Sequence, residues 1–401
     1  MASIRKRGKS YQITVSNGRD IHDKQILETA TWTPDPNKTE KQNQKALERF
    51  AMDFEDRVKS GKYLDGEKMT FQEFAGRWME EYAKMRLEPT TTEIYRLLLD
   101  AHVIPVIGHL RLSRVQPQHL NRLYSGMLMQ RKDGRPGGYS PTTVKRVHAI
   151  VSSIMSTAVQ WDIITDSPCR RIKPPRQEKR EVSFFTPEQA SIFLAELDRG
   201  TMEGTIPLQH NIFFQLALFC GLRRGEAVAL LWKDIDFADG TVAINKSTAI
   251  VEGKKYLKTP KNRTSERIIS VPAHVLDMLG RYRLEYDAYQ AQLGSQWAGN
   301  GHIFIQWDGS QMYPSTPDNA MRKIIARYNS THEEKLPHVT PHGLRHTSAT
   351  LLISQNVDIR TVSNRLGHAQ TSTTMNIYTH ALQKKDEQAA ETLENLLMQK
   401  T

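Results

Sequence analysis

The sequence predicts a multidomain chain, mainly helical with small β-sheets. Three observations predict it. Apolar residues alternate with period two across residues 1–33, recur at helical spacing from about 41 to 160, and mix both periods beyond 183. A basic, proline-rich stretch with neither period, residues 166–182 (DSPCRRIKPPRQEKREV), separates the second region from the third. The length of 401 residues suits two to three domains at roughly 150 residues each. The expected division is a module at 1–66, a second at 67–165, a linker at 166–182 and a third module at 183–401.

In the first module Ile4, then Tyr11, Ile13 and Val15 on one face, then Ile26, Leu27 and Trp32 read as a short antiparallel sheet. Arg7-Gly8 and Asn17-Gly18 supply its turns. Lys41 to Ser60 follows as a helix (Ala46, Phe50, Phe54, Val58) that Gly61 ends, completing a ββ(β)α unit. The second module reads as four helices. Thr70 and Glu73 form a capping box opening the first (Phe71, Phe74, Trp78, Tyr82). Thr90–Thr92 starts the second, which Pro105 and Gly108 end; Gln116–Met129 is the third. Ser140-Pro141 opens the fourth, with Val144, Val147, Ile150, Val151, Ile154 and Ala158 on one side.

The third module is mixed α+β. Thr186-Pro187-Glu188 places a proline at the first helical position. A helix at 209–220 runs into GLRRGEAVALLW, followed by strand-like runs at 241–250 and 266–271. Helical patterns then recur at 273–292, 317–329, 342–355, 358–366 and 381–399. The last carries Leu382, Ala389, Leu393, Leu396 and Leu397 along one side.

Composition narrows the function. No run approaches the ~18 apolar residues a membrane span needs. The opening MASIRKRGKSYQITV has no apolar stretch or small-residue cleavage site, so secretion is not expected. Two cysteines, Cys169 and Cys220, are too few for a disulfide framework or a four-cysteine zinc site, which fits a reduced cytoplasmic compartment. The excess of 55 Lys and Arg over 44 Asp and Glu, a net +11, favours polyanions, with nucleic acid ahead of an acidic membrane surface. Residues 131–180 hold eleven of these cations and four acids. Taken alone, such a run is equally a solvated face.

Three segments carry chemistry: Gly221-Leu222-Arg223-Arg224-Gly225-Glu226, His342-Gly343-Leu344-Arg345-His346, and Leu366-Gly367-His368 followed by Tyr378. Arg223 and Arg345 are permanently charged forks suited to a phosphate. His342 and His368 can donate or move protons near neutral pH. Tyr378 is a hydroxyl nucleophile or a packing tyrosine. His342 and His346 have the i, i+4 spacing of zinc ligands, but Gly343 stands where the metalloprotease motif has Glu, and no ligand cluster follows. Together the set describes phosphoryl transfer in which arginines neutralise charge, with no metal or other cofactor.

The order G-L-R-x-x-E, H-x-L-R-H, L-G-H, Tyr resembles the tyrosine recombinase (phage integrase) family over roughly residues 180–385. The segments TPHGLRHTSATLLI and RLGHAQTSTTMNIYTH carry most of the likeness, and integrases of Gram-positive conjugative transposons and temperate phages are the most similar in layout. The resemblance implies a site-specific integrase that integrates and excises a mobile element through a 3′-phosphotyrosine. It implies Arg223, His342, Arg345 and His368 as catalytic residues, Tyr378 as nucleophile and Glu226 as a buried supporting acid. It also implies a catalytic lysine on a hairpin spanning Tyr256 to Thr264, before a strand at Arg267–Val271: Lys261, with Lys258 the alternative. The first module becomes an arm-site DNA binder through Arg5, Lys6, Arg7 and Lys9. The helical, SAM-like module and the linker become core-site binders through Lys145, Arg146, Arg170, Arg171 and Lys173. Implied partners are duplex DNA, a homotetramer on DNA with the 381–399 helix docked in trans, an excisionase and a host DNA-bending protein. A type IB topoisomerase and a non-catalytic DNA-binding regulator are the alternatives.

Overall fold

The computed structural model describes residues 2–19, 23–59, 69–176, 183–258, 266–367 and 397–398. The chain divides into two compact units, Met1–Glu178 and Lys179–Thr401.

The first unit begins with an antiparallel sheet of β1 (Ser3–Arg7), β2 (Ser10–Arg19) and β3 (Gln25–Trp32), in the order β1-β2-β3, followed by α1 (Glu40–Lys59). The period-two pattern of β2 decides its packing. Ile13 and Val15 are buried with Leu47, Ala51, Phe54 and Val58 of α1. Tyr11 packs on Trp32, its cross-strand partner, with ring centroids 5.9 Å apart. Asn17-Gly18, read from sequence as a turn, instead lies inside β2. The pairing with β3 shifts register between Ser16 and Arg19, and Gly18 at φ +87° accommodates the irregularity.

Next come α2 (Phe71–Trp78), α3 (Lys84–Arg86), α4 (Pro89–Leu98), α5 (Ile104–Ile107), α6 (Pro117–Met129) and α7 (Pro141–Gln160). Glu73 donates its backbone N–H to the Thr70 hydroxyl and accepts from the Thr70 backbone, the capping box the sequence predicts. Phe71, Phe74 and Trp78 pack against Val144, Val147, Ile150, Val151 and Ile154. The buried Trp78 indole donates to Thr157 Oγ1 at 3.0 Å, tying α2 to α7.

Two sequence readings fail here for identifiable reasons. Pro105 does not end the second helix. The helix widens into a π turn at Leu99–Val103 and continues through Pro105 to Ile107, the wider turn accommodating a residue without an N–H. Residues 166–172, assigned to the linker, belong to the helical core: Pro168–Arg171 form a 3₁₀ turn, and Cys169 and Ile172 are buried in it. A single such turn is too short to leave a periodic signature.

The second unit contains α8 (Pro187–Met202), α9 (Leu208–Phe219), α10 (Arg224–Val228), β4 (Ile235–Asp236), β5 (Thr241–Ile244), β6 (Ser247–Val251), β7 (Lys254–Lys258) and β8 (Arg267–Ser270). Helices α11 (Ala273–Leu293), α12 (Thr316–Thr331), α13 (Pro341–Ser354) and α14 (Ile359–Leu366) follow. Helix α9 is buried almost throughout and touches α8, α11 and α13, so it forms the axis of the core. The sheet has the order β4-β5-β8, all antiparallel.

Strands β6 and β7 form a separate hairpin whose two-residue turn, Glu252-Gly253, has positive φ at both positions (51° and 74°). Of the expected hairpin over Tyr256–Thr264, Tyr256–Lys258 end β7, and residues 259–264 lie outside the described residues. Strand β7 pairs with β6 and β8 pairs with β5, so β7 and β8 are not paired with each other. Lys258 ends β7 opposite Ser247, and Lys261 lies outside the described residues.

Candidate active site

The site begins at the end of α9. Gly221 takes a left-handed φ of +62°, and a Cβ there would stand 2.4 Å from Leu366 Cδ2, so only glycine lets α14 approach this closely. Two residues on, Arg223 caps α10. Its Nη1 donates to Glu226 Oε1 at 2.7 Å, its backbone N–H to Glu226 Oε2 at 2.9 Å, and its Nη2 to the Gly367 carbonyl at 2.9 Å. The Arg223 side chain keeps 38% of its surface exposed.

Arg345 projects from α13, which starts at the Thr340 cap with Pro341 in its first turn. Its guanidinium donates to the carbonyls of Gly221, at 2.7 Å, and Leu366, at 2.5 Å, and the residue is only 1% exposed. Of the two arginines read as suited to a phosphate, Arg345 is thus enclosed and Arg223 is the solvent-facing one.

His342 stands one turn earlier on α13 with its ring 4.5 Å from that of His346, edge to face. Partial burial, then the charges of Arg345, Arg223 and Arg224, hold the His342 pKa below its ordinary value. His346 is buried, and burial, with His342 and Arg345, pulls it down to about 4. Its Nδ1 has no hydrogen-bond partner among the described residues.

Sequence reasoning missed Arg267. From the start of β8 its side chain reaches Glu226 with both Nη atoms, at 3.2 and 2.8 Å, and the Arg365 carbonyl with Nε, at 2.8 Å. Burial alone would raise the Glu226 carboxyl, but the Arg267 hydrogen bond and the Arg267 and Arg223 charges outweigh it and hold the acid ionised. A single arginine opening a four-residue strand carries no sequence signal of this role. Arg224 points elsewhere, to an ion pair with Asp318 of α12.

His368, Tyr378 and Lys261 lie outside the described residues, as does the expected 381–399 helix except for residues 397–398. The structure therefore brings Arg223, Arg345 and Arg267 together at the carbonyls of residues 365–367, with Glu226 bridging Arg223 and Arg267 and His342 on the same helix as Arg345. Among the described residues no group of three or more His, Cys, Asp or Glu side chains could hold a metal ion, and no helix is long and apolar enough to cross a membrane.

Of the residues expected to contact DNA, Arg5 and Arg7 share the sheet face with Gln12, opposite the face carrying Ile13 and Val15. Lys6 alternates to the other side, its ammonium 6.0 Å from the Tyr11 ring centroid. Lys9 is exposed beside Gly8, and Lys145 and Arg146 are exposed on α7. Arg170 and Arg171 are exposed and pair with Asp166, at 3.7 and 3.2 Å, and Lys173 is exposed beyond them.

Guanidinium groups of Arg223, Arg267 and Arg345 thus converge on the end of α14. Comparison with known proteins then identifies the class. Residues 183–385 match the phage integrase family, and residues 70–128 match the phage integrase N-terminal SAM-like domain. A XerC-like tyrosine recombinase of Caldanaerobacter subterraneus is 26% identical over 417 residues, covering 98% of each chain. The ICEBs1 integrase of Bacillus subtilis is 30% identical over 260 residues, covering 65% of this chain and 67% of its own. The Tn1549 transposon integrase, solved with transposon right end DNA, shares the fold at a TM-score of 0.64 and 19% identity, covering 80% of this chain and all of that fragment. The chain belongs to the phage integrase family. It is a tyrosine recombinase, an enzyme that cuts and rejoins DNA strands.

Proposed function

We propose that this recombinase integrates and excises a mobile element, with Tyr378 as its nucleophile. The observation carrying this reading is the grip of Arg223 and Arg345 on the Gly367 and Leu366 carbonyls, which ties both arginines to the chain just before His368. The Tyr378 oxygen attacks the scissile phosphorus, its phenol proton passing to His342 or His368. The bond from phosphorus to the 5′-oxygen breaks, and the leaving oxygen takes a proton from Lys261, with Lys258 the second candidate. Arg223 and Arg345 neutralise the charge on the non-bridging oxygens, while His342 and His368 hydrogen-bond there and relay protons. The phosphotyrosine ester retains the bond energy, so an incoming 5′-hydroxyl reverses the step on a new strand without ATP.

The wider assembly is read from charge and shape. The sheet face with Arg5, Arg7 and Gln12 suits an arm-type site, since β-ribbons also enter DNA grooves. Lys6 and Lys9 contribute at its edges. The helical module, with Lys145, Arg146, Arg170, Arg171 and Lys173, holds the core site, mostly through phosphates. Four copies close a ring in which the 381–399 helix of one docks on the catalytic unit of the next. Its receptor is the apolar groove of about 780 Å³ lined by Leu194, Leu218, Leu351, Leu352 and Val362. An excisionase and a host bending protein set direction, in the cytoplasm.

The test uses a supercoiled plasmid carrying the two element ends. Recombinant circles are expected. Relaxation without recombinants would instead indicate a type IB topoisomerase, and neither product would indicate a regulator.

A further inference from the structure

Three successive carbonyls at the end of α14 are each taken by a different arginine. Arg267 holds that of Arg365, Arg345 that of Leu366, and Arg223 that of Gly367. Two of these arginines are further joined through Glu226, whose two oxygens accept from Arg223 N, Arg223 Nη1 and both Nη atoms of Arg267. The Arg267 and Glu226 side chains are each only 7% exposed, so this carboxylate is neither screened by solvent nor free to rotate. The fit extends to the next residue. Gly367 is left-handed at φ +65°, and a Cβ there would stand 2.9 Å from Arg267 Nη1.

We propose that Arg267 is a positioning residue for strand cleavage. By clamping Glu226 against the α14 terminus, it sets the direction of the Arg223 guanidinium and the placement of the chain entering His368. Arg267 also opens β8, so one side chain joins the start of that strand, the Arg223–Glu226 cap and the end of α14. It does not itself touch the phosphate. A buried ion pair serving stability alone would give the same distances, so the test must read placement rather than folding.

The chemistry supplies that readout. Replacing a non-bridging phosphate oxygen by a methyl group removes the charge that a correctly aimed Arg223 neutralises. Cleavage of such a methylphosphonate therefore depends little on how the arginine is placed. Arg267→Lys keeps a cation but loses the fork. Full-length protein carrying it is expected to bind a core-site duplex as wild type does and to cleave the natural phosphodiester about 100-fold more slowly, the scale of an ångström of misplacement. Its cleavage of the methylphosphonate is expected to stay within about 3-fold of wild type, because the missing charge removes the need for aim. Because a lone buried acid destabilises, the paired variant Arg267→Met with Glu226→Gln is measured alongside; it leaves no unpaired buried acid, the Arg223 charge staying partly open to solvent, and is expected to show the same selectivity.

Equal slowing on both substrates, or no slowing, in whichever variant folds overturns the role of Arg267. The inference rests on the recombinase reading, and the two fail differently. If wild-type protein cleaves neither substrate, the reading of the site falls. If it cleaves both and the variants lose both alike, only the positioning role falls.

Discussion

Arg223 and Arg345 carry the same charge in opposite settings. Arg223 is partly open to solvent, whereas Arg345 is enclosed and satisfies two backbone carbonyls. Arg223→Lys is therefore expected to slow cleavage by about 10²–10³ through loss of transition-state stabilisation, with little change in melting temperature. Arg345→Lys should also destabilise by about 1–3 kcal/mol, because buried acceptors lose their donors. Suicide-substrate cleavage and thermal unfolding measure both effects, and equal melting temperatures for the two variants would contradict the assignment.

His346 gives a pH prediction. Its folded pKa is near 4, so the folded protein keeps it neutral while the unfolded chain binds a proton below its ordinary value. Stability from this residue is complete above about pH 6.5 and falls as pH drops toward 4, by on the order of 3 kcal/mol. His346→Leu should therefore gain on wild type as urea unfolding is moved from pH 7 to 4.5. A constant difference would mean that the ring binds its proton equally well in the folded and unfolded chain, which would contradict the lowered folded pKa. The motif residues Arg223, His342 and Arg345 were legible in sequence because each sits in a local pattern. Arg267 was not, because its partner Glu226 lies 41 residues away and only the fold joins them.

Elements with a clear period were read correctly. The β2 alternation buries Ile13 and Val15, and the α7 stripe buries Val144, Val147, Ile150 and Ile154. What escaped were features without a period: the π turn before Pro105, the 3₁₀ turn holding Cys169, and the Glu252-Gly253 turn, which demands φ > 0 at a glutamate. The amino-terminal sheet and helix rest on a small core, in which Phe54 is fully buried. Phe54→Ala should cost about 3–5 kcal/mol, enough to unfold a module of this size. Limited proteolysis should then cut within residues 1–66, and arm-site binding should vanish while cleavage of an isolated core site persists. A variant that stays protease-resistant and still binds arm DNA would contradict the module's dependence on this core.

At the scale of the whole molecule, a net charge of +11 supplies attraction to DNA that falls steeply with salt, while the proposed chemistry rests on a few named residues. Binding and cleavage are therefore separable, and the nucleophile is where they separate. The most direct measurement incubates wild-type and Tyr378→Phe protein with a nicked suicide substrate, isolates any covalent complex and maps the DNA-linked peptide by mass spectrometry. The ring is retained in Tyr378→Phe, so binding should stay within a few-fold of wild type at matched salt. Wild-type protein should yield DNA linked to the peptide containing Tyr378, and Tyr378→Phe should yield no adduct. An adduct that survives in Tyr378→Phe, or one that maps to another residue, would contradict the account.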